Sequence, residues 1–254
     1  MILTANSCLC TLLVATVLLG MCTFTLKNDL QQIQYQDSLC GFRSYAGYTT
    51  SSISYYSYLV QAVYRYLLVV YPTRLVYQSA KFQLLCICIT WIFGFLHPIA
   101  FLFTNDITYN VDNQICQIPL QRCFSLYFES FCIYFIPISM VAFIYLKLVQ
   151  YVRSMGKRVV AVNILLRAQR ELKMVQRMVM LITIVATIGF PYGVFVLMSI
   201  FTSPPKYDFR IAYIFVDVSL VSVMIVLFQI TDPLKEFIMK KIRIQPAMVE
   251  ARAT

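Results

Sequence analysis

Four ionisable side chains stand inside long apolar stretches: Arg65 in QAVYRYLLVVYP, His97 in GFLHPIAF, Glu129 in SLYFESFC and Asp217 in YIFVDVSL. A carboxylate in such surroundings faces a bundle interior or a water-filled cavity and is functional by default. Glu129 and Asp217 together with nearby tyrosines suit a basic ligand, bound through charge and cation–π contact. The opposing reading has Asp217 hydrogen-bonded to a neighbouring helix and Glu129 in interfacial water. His97 on its own reads as a packing or hydrogen-bonding residue, and Arg65 as a long side chain able to reach water from near a helix end. With one histidine, no glycine-rich phosphate loop and nine cysteines that form no paired CxxC groups, no catalytic constellation, metal site or cofactor is expected.

The elements that hold these groups are membrane spans. Hydrophobic residues make up 60% of the 254 and charged residues 13%, well outside the range of ordinary soluble domains. A hydrocarbon core of about 30 Å takes about 20 helical residues, and apolar runs of that length occur six times. The expected spans are residues 2–26, 45–70, 82–103, 124–148, 174–201 and 209–230, forming one all-α membrane domain over 1–254. None shows the two-residue alternation of barrel strands, so each is read as a helix. The first run is longer than a signal-peptide core and has no basic residue before Lys27, which favours a span over a leader. No low-complexity tract or internal repeat is evident.

Basic residues set the orientation. If the first span exits outward, sixteen of the 21 lysines and arginines fall on one side, and only Lys27, Arg43, Arg122, Lys206 and Arg210 on the other. The richer side is expected to be cytoplasmic. The net charge of +10 is therefore topology rather than a nucleic-acid footprint. Cys40 and the loop cysteines Cys116 and Cys123 face the oxidising side, so Cys40 can bridge either of them.

Cys40 precedes Arg65 by 25 residues and Arg65 precedes Pro72 by seven. Those intervals, with VYRY, Trp91 in CITWIFGF, Pro137 followed by Tyr145, and Pro191 in TIGFPYG, resemble the rhodopsin-like (class A) G-protein-coupled receptors along nearly the whole chain. The stretch ANSCLCTLL resembles the family's second helix. The resemblance thus implies helices two to seven of a seven-helix bundle, lacking the first, with a short amphipathic helix over about 232–244.

Several further expectations come from this resemblance. Cys40 pairs with Cys116. Arg43, Gly47, Tyr48, His97, Glu129, Tyr192 and Asp217 border a ligand cavity. Tyr64, Arg65, Tyr66, Tyr145, Glu171 and Phe228 belong to the activation and coupling machinery, with Arg65 paired to Glu171 and released towards a heterotrimeric G protein. The implied protein is a multi-pass plasma-membrane receptor for an extracellular ligand, with a peptide or other basic ligand favoured.

The chain also departs from the family pattern. Tyr64 replaces the acid beside the signature arginine. Thr11 stands where the second-helix aspartate belongs, so no internal sodium binding is expected even though Ser54 is kept. Gly189 occupies the usual tryptophan position of the sixth helix, and Met224, Ile225 and Phe228 stand at the seventh-helix motif, with Asp232 placed beyond the membrane. These losses support an alternative, a truncated or degenerate non-signalling relative. A six-span channel or transporter is a further alternative, but polar residues converging near the midplane are not evident.

Overall fold

The computed structural model describes residues 2–31, 37–121, 123–156, 162–188, 190–202 and 205–230. The helices are α1 (Ile2–Gln31), α2 (Cys40–Val70), the short α3 (Leu75–Gln78), α4 (Ala80–Phe103), α5 (Phe124–Glu129), α6 (Ile136–Gly156), α7 (Val162–Ile188), α8 (Phe190–Phe201) and α9 (Asp208–Ile230). A π-helical turn, Ser130–Phe135, joins α5 to α6, and two short strands, β1 (Thr108–Asn110) and β2 (Ile115–Gln117), lie between α4 and α5.

Helix α4 presents an apolar face outward, as lipid requires. On α4, Leu84, Leu85, Ile89, Ile92, Phe95 and Leu96 are exposed, whereas Gln83, Thr90 and His97 are buried. Among the described residues, three helices are long and apolar enough to cross a membrane: Ile2–Gln31, Ala80–Phe103 and Phe124–Met155. Helix α2 is more polar for a structural reason. It packs against α1, α4, α6, α7 and β2 and has little surface left to present to lipid, so Ser44, Thr49, Ser52, Ser57 and Gln61 are all buried.

Helix ends extend past the apolar runs because a helix continues into water where the sequence permits it. α1 runs on through Lys27 to Gln31, α2 begins five residues before the expected start, and α6 reaches Gly156. The span expected over 174–201 is covered by α7, which starts earlier, at Val162, and by α8, on either side of Gly189, which lies outside the described residues. The span expected as one helix over 124–148 contains the π turn. Pro137 cannot donate to the carbonyl of Ile133, and the chain upstream of it is wound with the wider hydrogen-bonding pattern. The hairpin was not expected at all. Its register pairs Thr108 with Gln117, Tyr109 with Cys116 and Asn110 with Ile115.

Apolar packing falls into four clusters. Phe101, Ile118, Leu126 and Phe209 fill the hairpin end, and Tyr58, Leu59, Ala62 and Val141 fill the middle. Val69, Leu148, Val152, Ala168 and Val175 close the opposite end. Val14, Leu18 and Met21 of α1 meet Val216 and Leu220 of α9.

The tightest crossing is α2 on α4. A β-carbon on Gly94 would overlap Cγ1 of Ile53, which is 2% exposed, and would stand 3.4 Å from the Ile53 backbone nitrogen. Overpacking of this kind costs about 1–3 kcal/mol. Gly94→Ala should therefore lower the melting temperature of the purified protein, and adding Ile53→Ala should recover part of the loss. A Gly94→Ala protein as stable as the parent would show that the crossing is not tight.

Candidate functional site

The hairpin is fixed at the mouth of the bundle by bonds that begin at the first residue of α2. Cys40 and Cys116 form a disulfide, Ser44 donates to the Cys116 carbonyl, and the Ile118 N–H donates to the Tyr48 hydroxyl at 3.2 Å. The other edge of the hairpin is held by α9. Asn113, fully buried, donates to Asp208 at 2.9 Å and accepts from the Arg210 N–H at 3.3 Å. Arg210 grips Asp29 of α1 with two bonds of 2.8 and 3.0 Å. In these loops, hydrogen bonds from Ser125 and then Thr104 hold the Asp106 carboxyl below its usual range. The Leu39 N–H and then Arg43 do the same for Asp37, while the contact with Asp112 raises Lys206.

Beneath β2 lies a cavity of about 180 Å³. At the hairpin end its walls are Ser44, Gly47, Tyr48, Gln117, Glu129, Tyr192 and Tyr213, and further in they are Thr11, Ser54, Tyr55, Tyr58, Tyr134 and Ser219. Four of the seven expected ligand residues, Gly47, Tyr48, Glu129 and Tyr192, are thus brought together. The other three lie elsewhere. Arg43 is at the rim, 2.8 Å from Asp37 and with its guanidinium 3.7 Å from the centre of the Phe24 ring. His97 sits behind Glu129 rather than on the cavity wall. Asp217 accepts from the Cys22 thiol of α1 at 3.3 Å, a bond between neighbouring helices. Tyr55, Tyr134, Tyr213 and Gln117 were not anticipated as wall residues. The available signal was a tyrosine hydroxyl inside an apolar run, which must find a polar environment.

Among the described residues, Glu129 is the one acidic residue on the cavity wall. Its side chain is 9% exposed and neither carboxylate oxygen has a hydrogen-bond partner. The His97 Nε2 atom is 3.4 Å away, within ion-pair range but without hydrogen-bond geometry.

Deeper in the cavity, the Thr11 hydroxyl lies 2.9 Å from that of Tyr58 and donates to the Ser7 carbonyl. Ser57 donates to Ser7 at 2.9 Å, and Gln61 donates to the Leu3 carbonyl at 3.1 Å and to Ser7. These bonds zip α1 to α2.

At the end of the bundle away from the disulfide, Arg65 donates to Glu171 of α7 at 2.9 Å, with the two side chains 17% and 12% exposed. Tyr64 does not take over the role of an acid. Its hydroxyl accepts from Gln83 of α4 at 2.9 Å, and its ring centre is 6.0 Å from the arginine carbon Cζ. Tyr66 and Tyr145 pack on the cluster around Val69, Leu148 and Val175. Gly189, the Phe228 side chain, Asp232 and the helix expected over 232–244 lie outside the described residues. Among the described residues no group of three or more His, Cys, Asp or Glu forms a metal site.

Asn113→Ala should release the hairpin from α9 and leave the buried Asp208 short of one donor, at a cost of about 1–3 kcal/mol. Limited proteolysis within residues 108–117 would detect the release. Unchanged protection would mean that the disulfide and the bonds from Ser44 and Tyr48 of α2 hold the loop without α9.

No curated protein matches the chain. The family model described as 7 transmembrane receptor (rhodopsin family) matches residues 3–234, and so takes in both the arginine pair and the cavity. The chain belongs to the rhodopsin family of seven-transmembrane receptors.

Proposed function

We propose that the chain is a single plasma-membrane receptor domain with six spans: α1, α2, α4, α5 through α6, α7 with α8, and α9. The disulfide end faces outward and the Arg65 end faces the cytoplasm. A basic extracellular ligand enters the cavity, and a heterotrimeric G protein reads the change at Arg65. The observation that carries this reading is the placement of two charged devices on one bundle. An unpartnered carboxylate, Glu129, faces the cavity at one end, and a breakable ion pair, Arg65 with Glu171, ties α2 to α7 at the other.

A cavity of about 180 Å³ is small for a ligand site. It accommodates one cationic group with a short apolar body, such as a lysine or arginine side chain projecting from a peptide. Gly47, Tyr48 and Tyr192 would line its path and Glu129 would meet its charge. Arg43 at the rim and Asp217, held by Cys22, would act around the cavity rather than in it.

On the cytoplasmic side Arg65 has one acid to hold it, because Tyr64 is committed to Gln83. A partly buried pair of this kind is worth about 1 kcal/mol, which is about fivefold in a two-state equilibrium. Tyr66 and Tyr145 would form the apolar surroundings in which α7 moves.

Nucleotide exchange measured on a panel of G proteins with purified receptor tests the proposal. Glu171→Ala should raise ligand-independent exchange about fivefold at equal amounts of folded protein. Exchange that is absent with every G protein, for parent and variant alike, would instead favour a non-signalling relative that folds as a receptor.

A further inference from the structure

The acid–base pair of His97 and Glu129 joins a residue behind the cavity wall to one on it. Both ring faces of His97 are covered, by Phe93 at 5.5 Å and Phe128 at 5.3 Å between ring centres, and Phe101 meets it edge-on at 5.8 Å. Its side chain is 3% exposed, and neither imidazole nitrogen has a hydrogen-bond partner. The two Glu129 oxygens are equally bare. Four buried polar atoms are thus left to one another, with Nε2 and Oε2 3.4 Å apart.

Charge balance decides how many protons such a pair holds. With none, a carboxylate is buried without a cation; with two, an imidazolium is buried without an anion. Either state carries a desolvation cost of several kcal/mol. With one proton the pair is neutral overall, whichever atom carries it. The other titratable groups around Glu129 are Tyr48 of α2, Tyr192 of α8 and Cys132 of the π turn. None of them supplies a positive charge, and no lysine or arginine pairs with Glu129 among the described residues.

We propose that His97 and Glu129 form a one-proton site whose proton is exchanged for the cation of the ligand. The second half of this statement rests on the basic-ligand reading above. When a cationic group reaches Glu129 from the cavity, the carboxylate becomes its counter-ion and His97 stays neutral. The shared proton leaves through the cavity to water. Net charge in the buried set is zero before and after, and one proton appears in solution for each cation bound. Binding of a permanent cation therefore tightens about tenfold per pH unit while the pair holds its proton.

His97 is the sole histidine of the chain, so its imidazole nitrogen signals in nitrogen-15 NMR need no assignment. The protonation of Glu129 is read from the infrared difference between the parent and Glu129→Gln in lipid nanodiscs. At about pH 6 the empty parent should show either neutral imidazole with carboxylic acid or imidazolium with carboxylate. Neutral imidazole with carboxylate, or imidazolium with carboxylic acid, would overturn the site. Phenyltrimethylammonium, whose charge is fixed, serves as the ligand probe. A rise in melting temperature that strengthens with pH and is lost in Glu129→Gln supports the exchange, and a rise independent of pH overturns it. No rise at any pH counts against the basic-ligand reading, and with it the exchange, while the signals of the empty protein still decide the one-proton site.

Discussion

A polar group inside a bilayer must find its partner within the protein, because lipid offers none, and in this molecule that requirement converges on α2. Along one helix, Ser44 and Tyr48 bind the hairpin, Ser57 and Gln61 bind α1, Tyr64 binds α4 and Arg65 binds α7. The helix is surrounded, so it is free of the need for an apolar surface and carries the polar contacts of its neighbours. Other elements are positioned by what they owe to it. The close crossing at Gly94 places α4, and with it the His97 ring, against the same helix that supplies Gly47 and Tyr48 to the cavity.

The two ends of α2 are held differently. At the hairpin end a disulfide, a hydroxyl and a phenol fix β2 in place, and Asn113 adds a second anchor on α9. That end is a covalently braced mouth. At the other end, an ion pair and a hydrogen bond join α2 to α7 and α4 beside the apolar cluster of Val69, Leu148 and Val175. The bracing of α2 is thus covalent at the hairpin end and noncovalent at the other.

Much of this was legible in residue type and spacing. Six long apolar runs and the bias of basic residues gave the class, the intervals around Arg65 led to the family, and the resemblance then pointed to Glu171 as its partner. The disulfide was narrowed to two partners by compartment. Cys116 lies within β2, pulled against the start of α2, whereas Cys123 packs on the cluster of Phe101 and Leu126. The hairpin was not legible because three-residue strands leave almost no periodicity. The Asp217–Cys22 bond joins residues 195 apart, and only the alternative reading of Asp217 as a helix-to-helix bond described it. Helix ends were missed in the direction physics dictates, since hydropathy marks the lipid boundary and not the end of the helix.

The π turn bears on the face from which Glu129 projects. Glu129 lies eight residues before Pro137, and in an uninterrupted α-helix that interval fixes the face on which it points. A π turn inserts about one extra residue and rotates everything before it by about 100° relative to that count. The turn occupies Ser130–Phe135, immediately after Glu129, so the rotation falls entirely between the carboxylate and the proline that served as its reference. Its result is a carboxylate that borders the cavity on one side and reaches the imidazole of α4 on the other. A proline in the sequence announces that a hydrogen bond is missing. Which neighbour gains a face from the missing bond depends on how the backbone absorbs it, and here the backbone absorbs it by turning an acid towards a base.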